Sequence, residues 1–505
     1  MTMTPQSAHE ELLARARKQA LLGSCSAVLG WDEQTYMPVG GAALRGDQMA
    51  LLAGLQHEQA THPRIGELLA ITAGSSLAAD PQSDAAANLR ELARDYKRGL
   101  KLPQALVEEL ARTTSLAQSE WVIARSTNDF VRFKPWLEKI FELKRQESAC
   151  LRSATEGGSA YDPLLDEYEP GAQASALETL FQTLKAELVP LVQTVVERTR
   201  GSAGEAVLKR LFPRDRQRIF AEAVAAGVGF DFTRGRLDET AHPFCSGFGP
   251  GDCRITTRFD DRHFNDAFFG VLHEVGHGLY EQGLEQVHFG SPLGEAVSLG
   301  VHESQSRLWE NAVGRGRPFW RYWHPLARRI FHEALGGVSL DAFLAAVNHV
   351  EPSLIRVQAD EATYNLHIII RFELERALLE GDLLVDDLPA AWSERYAALL
   401  GVVPKTDAEG CLQDIHWSAG LIGYFPTYTL GNLYAARLFR QAKLDLGDLD
   451  SSFAAGDFSP LLAWLRAKIH RHGRRHPPAQ LIDQAAGPAS LVESLRQKYQ
   501  ELFGV

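Results

Sequence analysis

Cysteine is scarce in this 505-residue chain: Cys25, Cys150, Cys245, Cys253 and Cys411 are scattered, odd in number, and form no C-x-x-C pair. That pattern argues against both a disulfide framework and a thiolate metal site, and predicts thiols kept reduced in the cytoplasm. No stretch reaches the ~18 apolar residues of a membrane span, and the N-terminal MTMTPQSAHEELLARARKQ lacks an apolar segment behind a basic start. Neither a membrane anchor nor an export signal is expected. Long basic runs are missing too. With 52 Lys and Arg against 64 Asp and Glu, the net charge of −12 argues against nucleic acid as a partner.

What the chain does have is helical periodicity. Leu12, Leu13, Ala16 and Ala20, and the run from Ala359 through YNLHIIIRFELERALL, place apolar residues at three- and four-residue intervals, predicting a mainly α fold. Loop chemistry breaks the pattern at EGGSAYDP (156–163), TRGSAGE (199–205) and FGPGD (248–252). Between Phe244 and Phe259, a glycine-rich turn followed by alternating Cys253, Ile255 and Thr257 predicts a strand or hairpin. The tract HRHGRRHPP (470–478) reads as a solvated basic turn, because its histidines lack acidic neighbours.

Just after the predicted hairpin comes VLHEVGHGLYEQG (271–283). Positions four apart on a helix share a face, so His273 and His277 can bind one cation through their imidazoles, with Glu274 beside it as a general base. Phe268, Phe269, Val271, Leu272 and Leu279 would bury this helix, and burying three polar side chains without purpose is costly. Catalytic zinc usually has three protein ligands. The downstream candidates for the third are Glu281, Glu285, His288, Glu295, His302, Glu303 and Glu310. Glu281 lies too near His277 on the same helix to swing back. A second helix is needed, and SPLGEAVSLGVHESQSRLWEN (291–311) is expected to supply it, with Glu295 near its start and Glu303 in its middle. Spacing leaves those two in competition. Two imidazoles and a carboxylate would leave a Zn2+ site at a formal +1, which lowers the pKa of bound water toward ~7.

HEVGHGLYEQG followed by SPLGEAVSLGVHESQSRLWEN resembles the M32 family of metallocarboxypeptidases. HPF (242–244), DCRIT (252–256), HESQ (302–305), IRVQAD (355–360) and GCLQDIHW (410–417) match that family's patterns in order, and WDEQTYMP (31–38) and KLP (101–103) extend the resemblance toward the N-terminus. The resemblance implies His273, His277 and Glu303 as zinc ligands, Glu274 as general base, and a structural role for Glu295. It further implies a two-lobed helical metallopeptidase with a deep central groove, usually a homodimer. Residues 1–505 would be one catalytic unit, helical up to roughly 200 and metal-binding from roughly 205. Zn2+ would be the cofactor, with Co2+ as a substitute.

Many related zinc peptidases carry an aspartate four residues after the ligand glutamate to orient a histidine, but this chain has Arg307 there. Asp360 is suggested in its place. Gly278 stands where alanine is more usual, a cost of up to ~1 kcal/mol unless packing is tight. A C-terminal exopeptidase must hold a free carboxylate, which a guanidinium does through paired hydrogen bonds. The resemblance makes Arg356 that anchor. His416 and a tyrosine, Tyr428 by distant analogy or else Tyr424, would donate to the oxyanion. His242, Arg254 and Gln413 would position substrate, with Asp252 as an ion-pair partner and Asp414 as a structural one. The expected substrates are peptides with a free C-terminal carboxylate. A dipeptidyl carboxypeptidase or endo-oligopeptidase would use the same chemistry, and a helical binding protein with a structural metal would need Glu274 to be dispensable.

Overall fold

The periodic segments fold as helices. The first, Pro5–Thr35, opens on a capping box between Thr4 and Ser7 with proline in its first turn. The run after Ala359 becomes the helix Tyr364–Glu380, closed by Gly381 in the left-handed region at φ 86°. The computed structural model describes residues 3–152, 158–200, 204–240 and 242–504, so parts of two expected loops, 156–157 and 201–203, lie outside the described residues. Among the described residues no helix is long and apolar enough to cross a membrane. The mainly helical expectation holds, with one small sheet.

The sheet has three strands, β1 (Gly235–Glu239), β2 (Cys245–Gly249) and β3 (Asp252–Thr257), in the order β1-β3-β2. β2 and β3 form the predicted hairpin, with Cys245 opposite Ile255. β1 was not legible: GRLDE carries one apolar residue, Leu237, and pairs parallel with β3 from Gly235 opposite Cys253 to Glu239 opposite Thr257. β3 packs on the histidine helix, Phe264–Glu281, whose Phe264 and Phe268 rings stack at 5.2 Å.

Two hydrophobic cores organise the molecule. One surrounds the sheet and the histidine helix, with Phe220, Trp320 and Leu465. The other joins Phe133, Phe141 and Phe181 to Ile368, Trp392 and Trp417, so the helices before residue 200 share a core with the chain after residue 350. Among the described residues, the first hundred hold a small cluster around Ala8, Leu12, Leu68 and Leu89. They reach the rest partly through ion pairs such as Arg94–Asp166 at 2.7 Å.

The tract at 470–478 departs from the expected solvated turn. His470 is fully buried and its Nε2 lies 3.0 Å from Gln305 Oε1. Arg474 pairs with Glu91, Asp95 and Glu295. The acidic partners come from distant segments, which is why the local sequence showed none.

Candidate active site

The glutamate helix is shorter than the sequence suggested. It spans Leu299–Arg307, and its cap is Ser298, whose Oγ accepts from Val301 N at 3.1 Å. Glu295 lies outside it in extended backbone, paired with Arg474 at 3.0 Å, so of the two competitors it is Glu303 that faces the histidines. Glu303 Oε2 is 3.5 Å from His273 Nε2 and 3.3 Å from His277 Nε2. The three ligand atoms all lie within 4.8 Å of one another, a group that could hold a metal ion.

Close backbone approach brings the two helices together. A Cβ on Gly276 would lie 2.5 Å from Gln305 O and from Ser306 Cα, so only glycine lets the histidine helix sit this near the glutamate helix. From the other side, Gly431 of the helix Pro426–Leu446 presses on Glu303, where a Cβ would come within 2.5 Å of Glu303 Cγ. Gly278 is explained in the same way: Phe230 and Ile255 fill the space a methyl would need.

The second atoms of each ligand are engaged in turn. Glu303 Oε1 accepts from Arg307 Nε at 2.6 Å, so Arg307 steadies the ligand carboxylate. His273 Nδ1 lies 2.9 Å from Glu310 Oε2. Glu310 belongs to a π-helical turn, Leu308–Val313, that continues the glutamate helix. His277 Nδ1 meets His302 Nδ1 at 2.5 Å, and His302 Nε2 meets Glu281 Oε1 at 2.9 Å. If His277 Nε2 is to bind a cation, its Nδ1 carries the proton, His302 accepts it, and His302 donates onward to Glu281. Asp360 is not the orienting acceptor. Its carboxylate instead binds the backbone N–H groups of Glu351, Ala362 and Thr363 and the Thr363 hydroxyl.

The electrostatics follow from burial and these partners. Burial pushes the Glu274 carboxyl up to about 7. Burial opposes ionisation of Glu303 as well, but Arg307 and the histidines win and hold it well below the usual carboxylate range. Burial takes His277 down to about 3, whereas for His273 the carboxylates of Glu303 and Glu310 outweigh burial and raise it. Two imidazole nitrogens, one permanently ionised carboxylate and no thiolate form a donor set that fits a divalent cation with an open position.

Opposite this group stands the segment 410–428. Arg356 is buried, with Nε on Asp414 Oδ1 at 2.9 Å and Nη1 on the Tyr364 hydroxyl at 2.9 Å. Arg371 takes the other Asp414 oxygen at 2.8 Å, and the two guanidiniums hold the Asp414 carboxyl well below its ordinary value despite burial. Gln413 accepts from Arg356 N and Arg371 Nη2 and donates to the carbonyls of Leu354, Glu409 and Gly410, so its amide is engaged inside the protein. His416 Nε2 is 3.1 Å from the Tyr428 hydroxyl, and burial and then Arg356 take its pKa to about 3. Tyr424 packs on Tyr428 at 5.4 Å, and both phenols are raised by burial, Tyr424 to about 12. Buried Glu375 fastens this loop, accepting from Trp417 Nε1, Tyr161 OH and Gly423 N.

Matching the whole arrangement is a family model, carboxypeptidase Taq (M32) metallopeptidase, which covers residues 11–501. The chain belongs to the M32 carboxypeptidases. Thermostable carboxypeptidase 1 of Thermus thermophilus is 48% identical over 99% of this chain and 100% of its own length. Carboxypeptidase 1 of Bacillus subtilis is 37% identical over 94% of this chain and 95% of its own. The crystal structure of an M32 carboxypeptidase from Deinococcus radiodurans superposes with a TM-score of 0.94 at 42% identity, covering 99% of this chain and 100% of that one. This M32 chain is therefore an enzyme, a metallocarboxypeptidase hydrolysing peptide bonds, and the rival reading of a binding protein is set aside.

The remaining residues expected at the M32 site lie near the sheet. Arg254 pairs with Asp252 at 2.8 Å and is sandwiched between Trp31, at 4.3 Å, and Phe248, at 4.9 Å. His242 is exposed on the connection between β1 and β2. The sequence had offered Glu310 and His302 as ligands and left out Arg371, Tyr364 and Glu375. Their polarity inside apolar helical runs was the only signal.

Proposed function

We propose that this M32 carboxypeptidase is zinc-dependent and releases single amino acids from the free C-terminus of peptides. The observation that carries the reading is the buried, Asp414-clamped Arg356, joined through Tyr364 and Arg307 to Glu303 of the group His273, His277 and Glu303, with the Tyr428 ring 5.1 Å from its guanidinium carbon. The donor set suits Zn2+, with Co2+ as a substitute. When bound, the metal supplies Lewis acidity, polarising the scissile carbonyl and lowering the pKa of water.

The chain's own residues do the rest. Glu274 accepts the proton of the attacking water and delivers it to the leaving amine. Tyr428 and Tyr424, protonated at neutral pH, are the oxyanion donors beside His416. His416 Nδ1 is buried with no partner among the described residues, which favours the imidazole proton on Nε2. That nitrogen then donates to the Tyr428 oxygen, and Tyr428 is itself hydrogen-bonded to Tyr424, so the tyrosine pair together supplies the donor to the oxyanion. Arg356 holds the terminal carboxylate, and Arg254 and His242 line the path of the chain toward its N-terminal side.

We further read residues 1–505 as one catalytic unit working in the cytoplasm as a homodimer. Exposed Leu44, Leu51 and Leu55 along one helix, Ala42–Ala60, support self-association. Sedimentation at micromolar concentration is expected to give a dimer, and a monomer rejects that part. For the activity, mass spectrometry of an unblocked peptide should show successive single C-terminal losses that stop with chelator and return with Zn2+. A C-terminally amidated peptide should resist. Dipeptide products or internal fragments overturn the reading.

A further inference from the structure

Tyr364 has no role in the mechanism above, yet it joins the two charged centres of the site. It is the first residue of its helix, and the Asp360 cap on Ala362 and Thr363 fixes that start. Over its ring lies the Arg307 guanidinium, 4.2 Å from the centroid, and Arg307 binds the ligand carboxylate Glu303. The Tyr428 ring meets it edge-on at 6.1 Å. The side chain is buried, with 5% exposure. Glu303, Arg307, Tyr364 and Arg356 thus form one continuous strut.

The hydrogen-bond roles in this strut leave the Tyr364 hydroxyl and Arg356 Nη2 available as donor groups. Arg356 has no lone pair, so in its 2.9 Å contact the phenol oxygen is the acceptor and the Tyr364 O–H keeps its own proton. No other described residue accepts that proton. Arg356 uses Nε on Asp414 and one Nη1 hydrogen on Tyr364, and its Nη2 has no partner among the described residues. The Tyr364 hydroxyl and Arg356 Nη2, two donor groups on one buried cation and its partner, match the two oxygens of a carboxylate.

We propose that Tyr364 is a binding residue that completes, with Arg356, a two-donor seat for the substrate's terminal carboxylate, held at a fixed distance from the ligand Glu303. The inference rests on the anchor role of Arg356 proposed above. It goes further in assigning half of the seat to a phenol.

Tyr364→Phe keeps the ring on Arg307 and removes only the hydroxyl. In the metal-loaded, full-length enzyme it is expected to raise KM for unblocked peptides about tenfold, with kcat and metal content unchanged. Calorimetry with an uncleavable reduced-amide peptide bearing a free carboxylate should show the same loss of about tenfold, while its carboxamide counterpart binds variant and parent alike. Unchanged free-acid binding, or an equal loss on the carboxamide, overturns the proposal. Arg356→Gln, measured in parallel, separates the two failures. If Arg356→Gln leaves free-acid binding intact, the anchor reading fails. If Arg356→Gln abolishes it and Tyr364→Phe does not, only the role of Tyr364 fails.

Discussion

Glu274 sits under two opposing influences. Burial pushes its carboxyl up to about 7, while a cation at the three ligand atoms favours the ionised form needed to accept a proton. Glu274→Gln keeps the volume and removes the base. It should retain its metal by elemental analysis and lose roughly 10²–10⁴ in kcat, and full turnover would move the base elsewhere. The Nδ1 partners act on the metal itself. Glu310→Gln and His302→Gln are each expected to weaken metal binding roughly 10–100-fold in competition with a chromogenic chelator, with Asp360→Asn showing no such effect. At this scale the four-residue spacing of HEVGH was legible because it repeats on one helix face. Its partners were not, since Glu310 and His302 lie 37 and 25 positions from the histidines they touch and no periodicity connects them. The structure replaces Asp360 on this ground.

Helix against helix, the ligand geometry depends on glycine. A methyl on Gly276 meets backbone atoms, which cannot step aside as a side chain can. Gly276→Ala should therefore lower stability by roughly 1–3 kcal/mol and reduce metal affinity. On the same helix, Gly270→Ala meets nothing closer than Thr257 Oγ1 at 3.6 Å and should be neutral or stabilising. Thermal melts of both variants with and without metal check the pair, and equal behaviour rejects the steric account. The β2–β3 hairpin was readable from its alternation and glycine turn. β1 was not, because Arg236 and Asp238 pair with each other and mask a strand whose partner is parallel. The glutamate helix was placed too early because Pro292 and Glu295 look like a helix start, whereas the cap is Ser298.

Across the whole molecule, Glu169 ties the two hydrophobic cores together. It follows the helix Asp162–Tyr168 in the second core and accepts from Gly300 N, at the start of the glutamate helix, and from Tyr434 OH, each at 3.0 Å. Burial pushes its carboxyl up to about 7. A folded value above the unfolded one means that its contribution is most favourable below pH ~4.5 and is lost as pH rises through 7, by about 3 kcal/mol. Glu169→Gln should flatten stability against pH between 5 and 7.5 in denaturant titrations, and an unchanged slope excludes the assignment. The helical class was legible from periodicity, and the family from its ordered motifs. The pairing of cores across residue 200 was not, nor was the burial of His470, because both depend on segments hundreds of residues apart. The glycine contacts on either side of Glu303 carry a last consequence, for engineering. With Gly276 and Gly431 leaving no slack around the ligand helix, the metal scaffold offers no productive positions for library design. New terminal-residue preferences are better sought away from these two helices.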